Sequence, residues 1–168
     1  DAIMTGIVYD SAALTLVHTD YIEFDESTAA TTYQLAKVLD DALPQSTYLG
    51  DFQRNRPSVA ATFEDAEGNQ FTVVSSHFKS KGDSGLVALS NAAQAYLNAN
   101  GAAAGFTQAD IDALRADANF DQGDGQGFWN GVRAEAAVQL ADWLGTEYAG
   151  GGVSDYLLMG DMNAYAQE

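Results

Sequence analysis

The chain has no cysteine, so disulfides are excluded and the sequence carries no mark of its redox compartment. It has only two prolines, Pro44 and Pro57, so few positions are closed to regular structure on that account. Bases are scarce: three lysines and four arginines stand against 24 acids, for a formal net charge of −17. No apolar run approaches the ~18 residues of a membrane-spanning helix. No signal-peptide pattern is visible. The chain begins at Asp1 without an initiator methionine and is read as a mature or truncated piece of something longer, so the missing signal says little about export.

What is present is a globular composition. Hydrophobic residues make up 46% of 168, enough for one compact domain with a real core and too many for a disordered chain. A surface this acidic repels polyanions at low salt and suits a protein kept soluble where ionic strength is high. Solubility alone explains it; a halophilic or marine secreted protein is the sharper reading. The positions of the few bases are informative. Arg54 and Arg56 precede an expected strand, Lys79 and Lys81 follow one, and Arg133 opens an expected helix, leaving only Lys37 and Arg115 elsewhere. Cations kept beside candidate site residues suit the holding of an anion.

The pattern predicts a mixed α/β or α+β chain. Ile3–Tyr9 reads as a buried strand, with Leu14–Thr19 as its hairpin partner. Residues 20–55 are weakly patterned, with a short helix over Thr32–Leu43 ended by Pro44, and read mostly as a long loop over the sheet edge. Ser58–Phe63 and Gln70–Phe78 form a hairpin around Asp65-Ala66-Glu67-Gly68-Asn69. Residues 82–128 form an Ala-, Asn- and Asp-rich insertion. Within it Ser90–Asn98 looks helical, and Thr107 caps a second helix with Asp110 at its third position. Trp129–Leu144 has helical apolar spacing at Val132, Ala136, Leu140 and Trp143, and is expected to cover a sheet face. Gly150-Gly151-Gly152 ends that unit. Tyr156–Met159 then reads as a buried strand.

The chemistry gathers at strand ends. Asp161 and Asn163 follow the last strand, two residues apart and so expected on one side. Asp161 suits a hard divalent cation and Asn163 a phosphate oxygen. His77 and Lys79 close an earlier strand, where a histidine can act as hydrogen-bond donor or general acid; solubilising edge residues are the plainer reading. His18 reads as structural. Pro57 restricts Arg56 to extended backbone, which aims its guanidinium. Asp117-Ala118-Asn119-Phe120-Asp121 begins like a calcium loop, but Gln122 and Phe128 stand where an EF-hand needs Gly and Glu. The EF-hand is rejected. A looser calcium or sodium site made by Asp117, Asn119, Asp121 and Asp124 stays open beside a solvated acidic loop.

Taken in order, these pieces form a pattern: an aliphatic strand ending in Tyr9, Arg56-Pro57, His77-Phe78-Lys79-Ser80-Lys81, Asp124-Gly125-Gln126-Gly127-x-Trp129-Asn130-x-x-Arg133, and Gly160-Asp161-x-Asn163-Ala164-Tyr165. The pattern resembles the endonuclease/exonuclease/phosphatase superfamily, which includes deoxyribonuclease I, and within it the bacterial extracellular nucleases. The resemblance implies a partial domain over 1–168, drawn from a four-layer α/β/β/α sandwich with mostly antiparallel sheets. It implies metal-dependent hydrolysis of phosphodiesters in DNA, with RNA as a further substrate, using Mg²⁺ or Mn²⁺. His77, Asp161 and Asn163 would be catalytic, with Asp161 also positioning the metal. Arg56, Lys79, Asn130 and Arg133 would contact substrate phosphate, helix packing being an adequate alternative for the last two.

The departures matter. Where this branch often has a cysteine pair, Leu86 and Phe128 stand instead. The family's first strand, its metal-binding Glu and its Ser-Asp-His are expected before residue 1 and after residue 168, in missing parts of the same domain. The chain alone is therefore expected to be inactive. The rival readings are a phosphomonoesterase or sphingomyelinase of the same superfamily, or a non-catalytic, cation-stabilised surface module.

Overall fold

In a computed structural model, the described residues are 4–45, 48–49, 55–120, 127–146, 148 and 155–164. Arg54, Asp121, Asp124, the triple glycine at 150–152 and Tyr165 lie outside them. The fold is mixed α+β: one four-stranded sheet with four α-helices among the described residues. The strands are β1 (Thr15–Ile22), β2 (Ser58–Glu64), β3 (Gln70–His77) and β4 (Tyr156–Asp161), in spatial order β1-β2-β3-β4. The first two pairings are antiparallel and the last, β3 with β4, is parallel. The helices are α1 (Ser27–Ala42), α2 (Leu86–Asn100), α3 (Gln108–Ala116) and α4 (Gly127–Thr146), with a 3₁₀ turn at Gly101–Ala104.

The chain divides into two compact units. The first, residues 1–25, 54–79 and 133–168, holds the sheet and most of α4. The second, residues 26–53 and 80–132, is helical.

In the sheet unit, β2 and β3 form the expected hairpin. The Asp65 carboxylate accepts the backbone N–H groups of Glu67 and Asn69, and Gly68 supplies a positive φ of 84°. One face of the sheet carries Ala60 and Val74, which cluster with Ala136, Leu140, Trp143 and Leu144 of α4. The expected helical spacing thus meets the sheet face, except that Val132 belongs to the core of the other unit. On the same face the hydroxyls of Thr62, Thr72 and Tyr148 bond one another at 2.8 and 2.9 Å, so buried polar groups are satisfied across strands. The His18 ring stacks obliquely on Tyr148 at 5.3 Å, a packing role.

The opposite face is covered at β2, where Ala61 and Phe63 are buried, and open along β4. Leu157 and Met159 on that face, and Tyr156 and Leu158 on the other, are 37–53% exposed. The expectation of a buried final strand is overturned: β4 is an edge strand among the described residues, and its side chains on both faces are exposed. The expected buried strand over Ile3–Tyr9 is also overturned from Met4 onward, Ile3 lying outside the described residues. Residues 4–10 are irregular, and Val8 is fully exposed. β1 finds its partner in β2 instead, and the segment from Gly6 to Tyr9 borders the open face, with the Tyr9 ring 4.7 Å from Phe63. A seven-residue ladder with β2 outcompetes a short local hairpin.

In the helical unit, the short helix expected over Thr32–Leu43 is present and longer: α1 runs 16 residues and starts five residues earlier, in a stretch read mostly as loop. Ala29, Ala36 and Leu39 are fully buried along it, an apolar stripe built from small residues that hydropathy understates. They cluster with Leu86, Leu89 and Ala93 of α2, with Ile111 and Leu114 of α3, and with Phe128 and Val132. Leu86 and Phe128, at the positions of the resemblance's cysteines, are thus both members of this core. The Thr107 capping box forms as expected, with side chain and backbone bonds exchanged between Thr107 and Asp110.

Candidate functional site

The site lies at one end of the sheet, where β3 stops, β4 turns and β2 begins. β3 and β4 run in parallel register with His77 opposite Asp161. In-register residues of a parallel pair project to the same face, here the open one shared with Ser75 and Met159. His77 is half-buried and Asp161 exposed. Asp161 is itself the last residue of β4, so strand alternation does not continue to Asn163 as expected. The chain turns instead, with Asn163 in the left-handed region at φ 50°.

That turn is held by specific bonds. The Asn163 backbone N–H donates to Asp161 Oδ1 at 2.9 Å. Asn163 Nδ2 donates to the Phe78 carbonyl at 3.0 Å, and the Phe78 N–H donates to the Asp161 carbonyl at 3.0 Å. The close approach depends on Gly160. Its φ is +133°, and a Cβ there would stand 1.8 Å from the Ser76 carbonyl oxygen.

From the other side, Asn55 accepts the Lys79 backbone N–H through Oδ1 at 2.6 Å, and both residues are buried. Arg56 follows, half-buried, and Pro57 offers its carbonyl to the Thr5 hydroxyl at 2.9 Å. Ser58 and Ser76 exchange a hydroxyl hydrogen bond at 2.8 Å just inside the ladder. Arg56 also borders a groove of about 540 Å³ with Pro57, Val59, Tyr21 and Met4.

Charge concentrates here. Lys79 is 7% exposed and Arg133, in the second turn of α4, is 3% exposed. Burial first, and then the positive charges of Arg56 and Arg133, hold the Lys79 ammonium below its ordinary value. Two of the other six bases of a strongly acidic chain therefore act on Lys79 at one strand end. Arg133 does not open its helix, which begins at Gly127. Asn130 lies three residues earlier in α4, half-buried, in the part that belongs to the helical unit.

Asp117 and Asn119 belong to the helical unit and are engaged in packing. Asp117 Oδ1 accepts from the Thr32 hydroxyl at 2.9 Å and from the Asn119 N–H at 2.8 Å. Asn119 Nδ2 donates to Thr32 Oγ1 at 3.1 Å. This network ties α1 to the end of α3. No group of three or more His, Asp or Glu side chains is arranged for a metal among the described residues. Asp161 fits a narrower role. Magnesium is commonly held by one or two carboxylates together with substrate phosphates and water, and Asp161 is an exposed carboxylate in register with His77.

The chain matches no family model, no curated protein and no solved structure. No described helix is long and apolar enough to cross a membrane.

Asn55 and Gly160 are the residues that sequence reasoning undervalued. Asn55 reads as the first letter of a loop junction, and its partner is 24 residues away. Gly160 reads as a strand end, although a glycine inside a strand signals a close backbone approach.

Proposed function

We propose that this sheet end recognises the phosphate of a nucleic-acid phosphodiester in a metal-dependent hydrolase acting on DNA, with RNA as a further substrate. The supporting observation is the grouping of His77, Lys79, Asp161 and Asn163 around one end of β3, with Arg56 and Arg133 close enough to Lys79 to shift its titration. The resemblance to extracellular nucleases, carried by the same residues, agrees with it, as does an acidic surface suited to a secreted bacterial protein in salt. The exposed apolar side chains of Leu157 and Met159 on β4 fit the finer architecture, in which a second sheet completes a four-layer sandwich.

In this reading the diester phosphate binds against Arg56 and Lys79, with Arg133 behind them reinforcing the positive potential. His77 donates a hydrogen bond to a non-bridging oxygen, and Asn163 offers its second amide proton. These donors stabilise the charge that gathers on the phosphorus oxygens as water attacks in line. Asp161 would hold a divalent cation, Mg²⁺ or Mn²⁺, which when bound supplies Lewis-acid neutralisation of phosphate charge.

The test is cleavage of plasmid DNA by the parent protein with Mg²⁺, with and without chelator. His77→Ala and Asp161→Ala should each lower turnover by at least ~100-fold, the scale of one lost transition-state contact. A folded variant with near wild-type turnover would refute the assigned role. Preferential hydrolysis of sphingomyelin over DNA would move the site to the phospholipase branch, and retention of neither activity would favour a binding module.

A further inference from the structure

Lys79 and Arg56 both stand outside the strand ladder: β3 ends at His77 and β2 begins at Ser58. Their positions therefore need another source of order. One such source is the peptide unit joining Phe78 to Lys79. Its carbonyl accepts from Asn163 Nδ2 at 3.0 Å, from the β4 side. Its N–H donates to Asn55 Oδ1 at 2.6 Å, from the β2 side. The antiparallel register that sets Val59 opposite Ser75 runs on to set Asn55 opposite Lys79, so an amide side chain takes over where the main-chain ladder stops.

We infer that Asn55 is a positioning residue for phosphate recognition: by gripping the Lys79 N–H it fixes Lys79 and the adjoining Arg56 in one arrangement. The inference rests on the phosphodiester reading above. Like charges repel, and Arg56 and Arg133 lie near enough to act on Lys79. A strand end held only by its own ladder would relieve that repulsion by swinging Lys79 outward. Asn55 and Asn163, gripping opposite groups of the same peptide, prevent this. Asn55 is itself buried and does not need to touch the phosphate.

The experiment is a titration of the 168-residue chain with inorganic phosphate, read by NMR, for the wild type, Asn55→Ala, Lys79→Met and the double variant. Each single variant should weaken phosphate binding about tenfold, the scale of one ordinary hydrogen bond or charge contact. The double variant should bind about as weakly as either single one, because both remove the same placed cation. Hydrogen exchange should show the Lys79 amide unprotected in Asn55→Ala while the Phe78 amide, bonded to Asp161, stays protected. Wild-type affinity in Asn55→Ala, or losses that add to about a hundredfold in the double variant, would overturn the positioning role alone. Absence of phosphate binding in the wild type would overturn the phosphodiester reading and this inference with it. If Asn55→Ala does not fold, Asn55→Ser, which keeps a shorter acceptor, carries the same comparison.

Discussion

Replacing Gly160 with alanine should unseat β4 at the point where the candidate site is built. The new Cβ would lie 1.8 Å from the Ser76 oxygen, 2.8 Å from its carbonyl carbon and 3.0 Å from its nitrogen. All three are backbone atoms of the neighbouring strand, so no side chain can rotate away. The backbone itself, at φ +133°, lies where side-chain-bearing residues cost about 1–3 kcal/mol. Forcing atoms into a packed region adds about 1–3 kcal/mol more. The expected loss is therefore about 2–6 kcal/mol, a large part of the ~5–15 kcal/mol that holds a typical domain. Urea denaturation measures it, with Gly82→Ala as control. A Cβ at Gly82 meets nothing within 4 Å, so that change should fall within about 0.5 kcal/mol of wild type. Hydrogen exchange supplies the local reading: the Phe78 amide, bonded to the Asp161 carbonyl, should lose protection before amides of the β2–β3 hairpin do. A Gly160→Ala protein as stable as the Gly82 control would show that β4 does not approach β3 as described.

Leu140→Ala should cost about 2–5 kcal/mol by calorimetry or urea unfolding, because Leu140 is 2% exposed between α4 and the sheet. Thr107→Ala should cost about 1 kcal/mol through loss of the α3 capping box, seen as faster exchange of the Asp110 amide. Lys79→Met should raise the melting temperature while weakening phosphate binding. The sign follows from linkage: the folded state lowers the Lys79 affinity for its proton, so a charged Lys79 opposes folding below its folded value. As pH rises through that value toward 10.5 the unfolded chain binds more protons and this cost is relieved. A melting curve whose alkaline rise survives unchanged in Lys79→Met would refute that attribution.

Local signals carried the parts of the fold that depend on neighbours in sequence. The β2–β3 hairpin, the Thr107 cap and the periodicity of α4 each involve residues a few positions apart. Their physics is complete within a short window. The failures share the opposite cause. The Ile3–Tyr9 segment has a strand's composition, yet the partner it would need is taken by β2, a contact some forty residues away. Tyr156–Met159 is a strand but not a buried one, since burial depends on what covers the sheet and not on the strand itself. Only the later part of α1 was legible, because alanine and threonine give a weak hydropathy period over its first turns even where Ala29 and Thr32 are buried. In the candidate site, His77, Asp161 and Asn163 could be singled out from their places at strand ends, but the turn at Asn163 and the grip of Asn55 on Lys79 are set by long-range geometry.

The parallel junction of β3 with β4 also sets an order of assembly. β2 and β3 are joined by a five-residue turn, whereas β3 reaches β4 only after the stretch from Phe78 to Asp155. Closing the longer connection costs about 2 kcal/mol more in chain entropy than closing the turn, on the logarithmic dependence of loop closure. The hairpin can therefore nucleate early, and β4 joins among the last events. Asp161 and Asn163 travel with it, so the carboxylate and amide reach His77 and Lys79 only as the sheet is finished. A chain arrested before that step would have much of its secondary structure and none of the proposed phosphate site, and if that proposal holds, acquisition of phosphate affinity during refolding would serve as a clock for the final docking event.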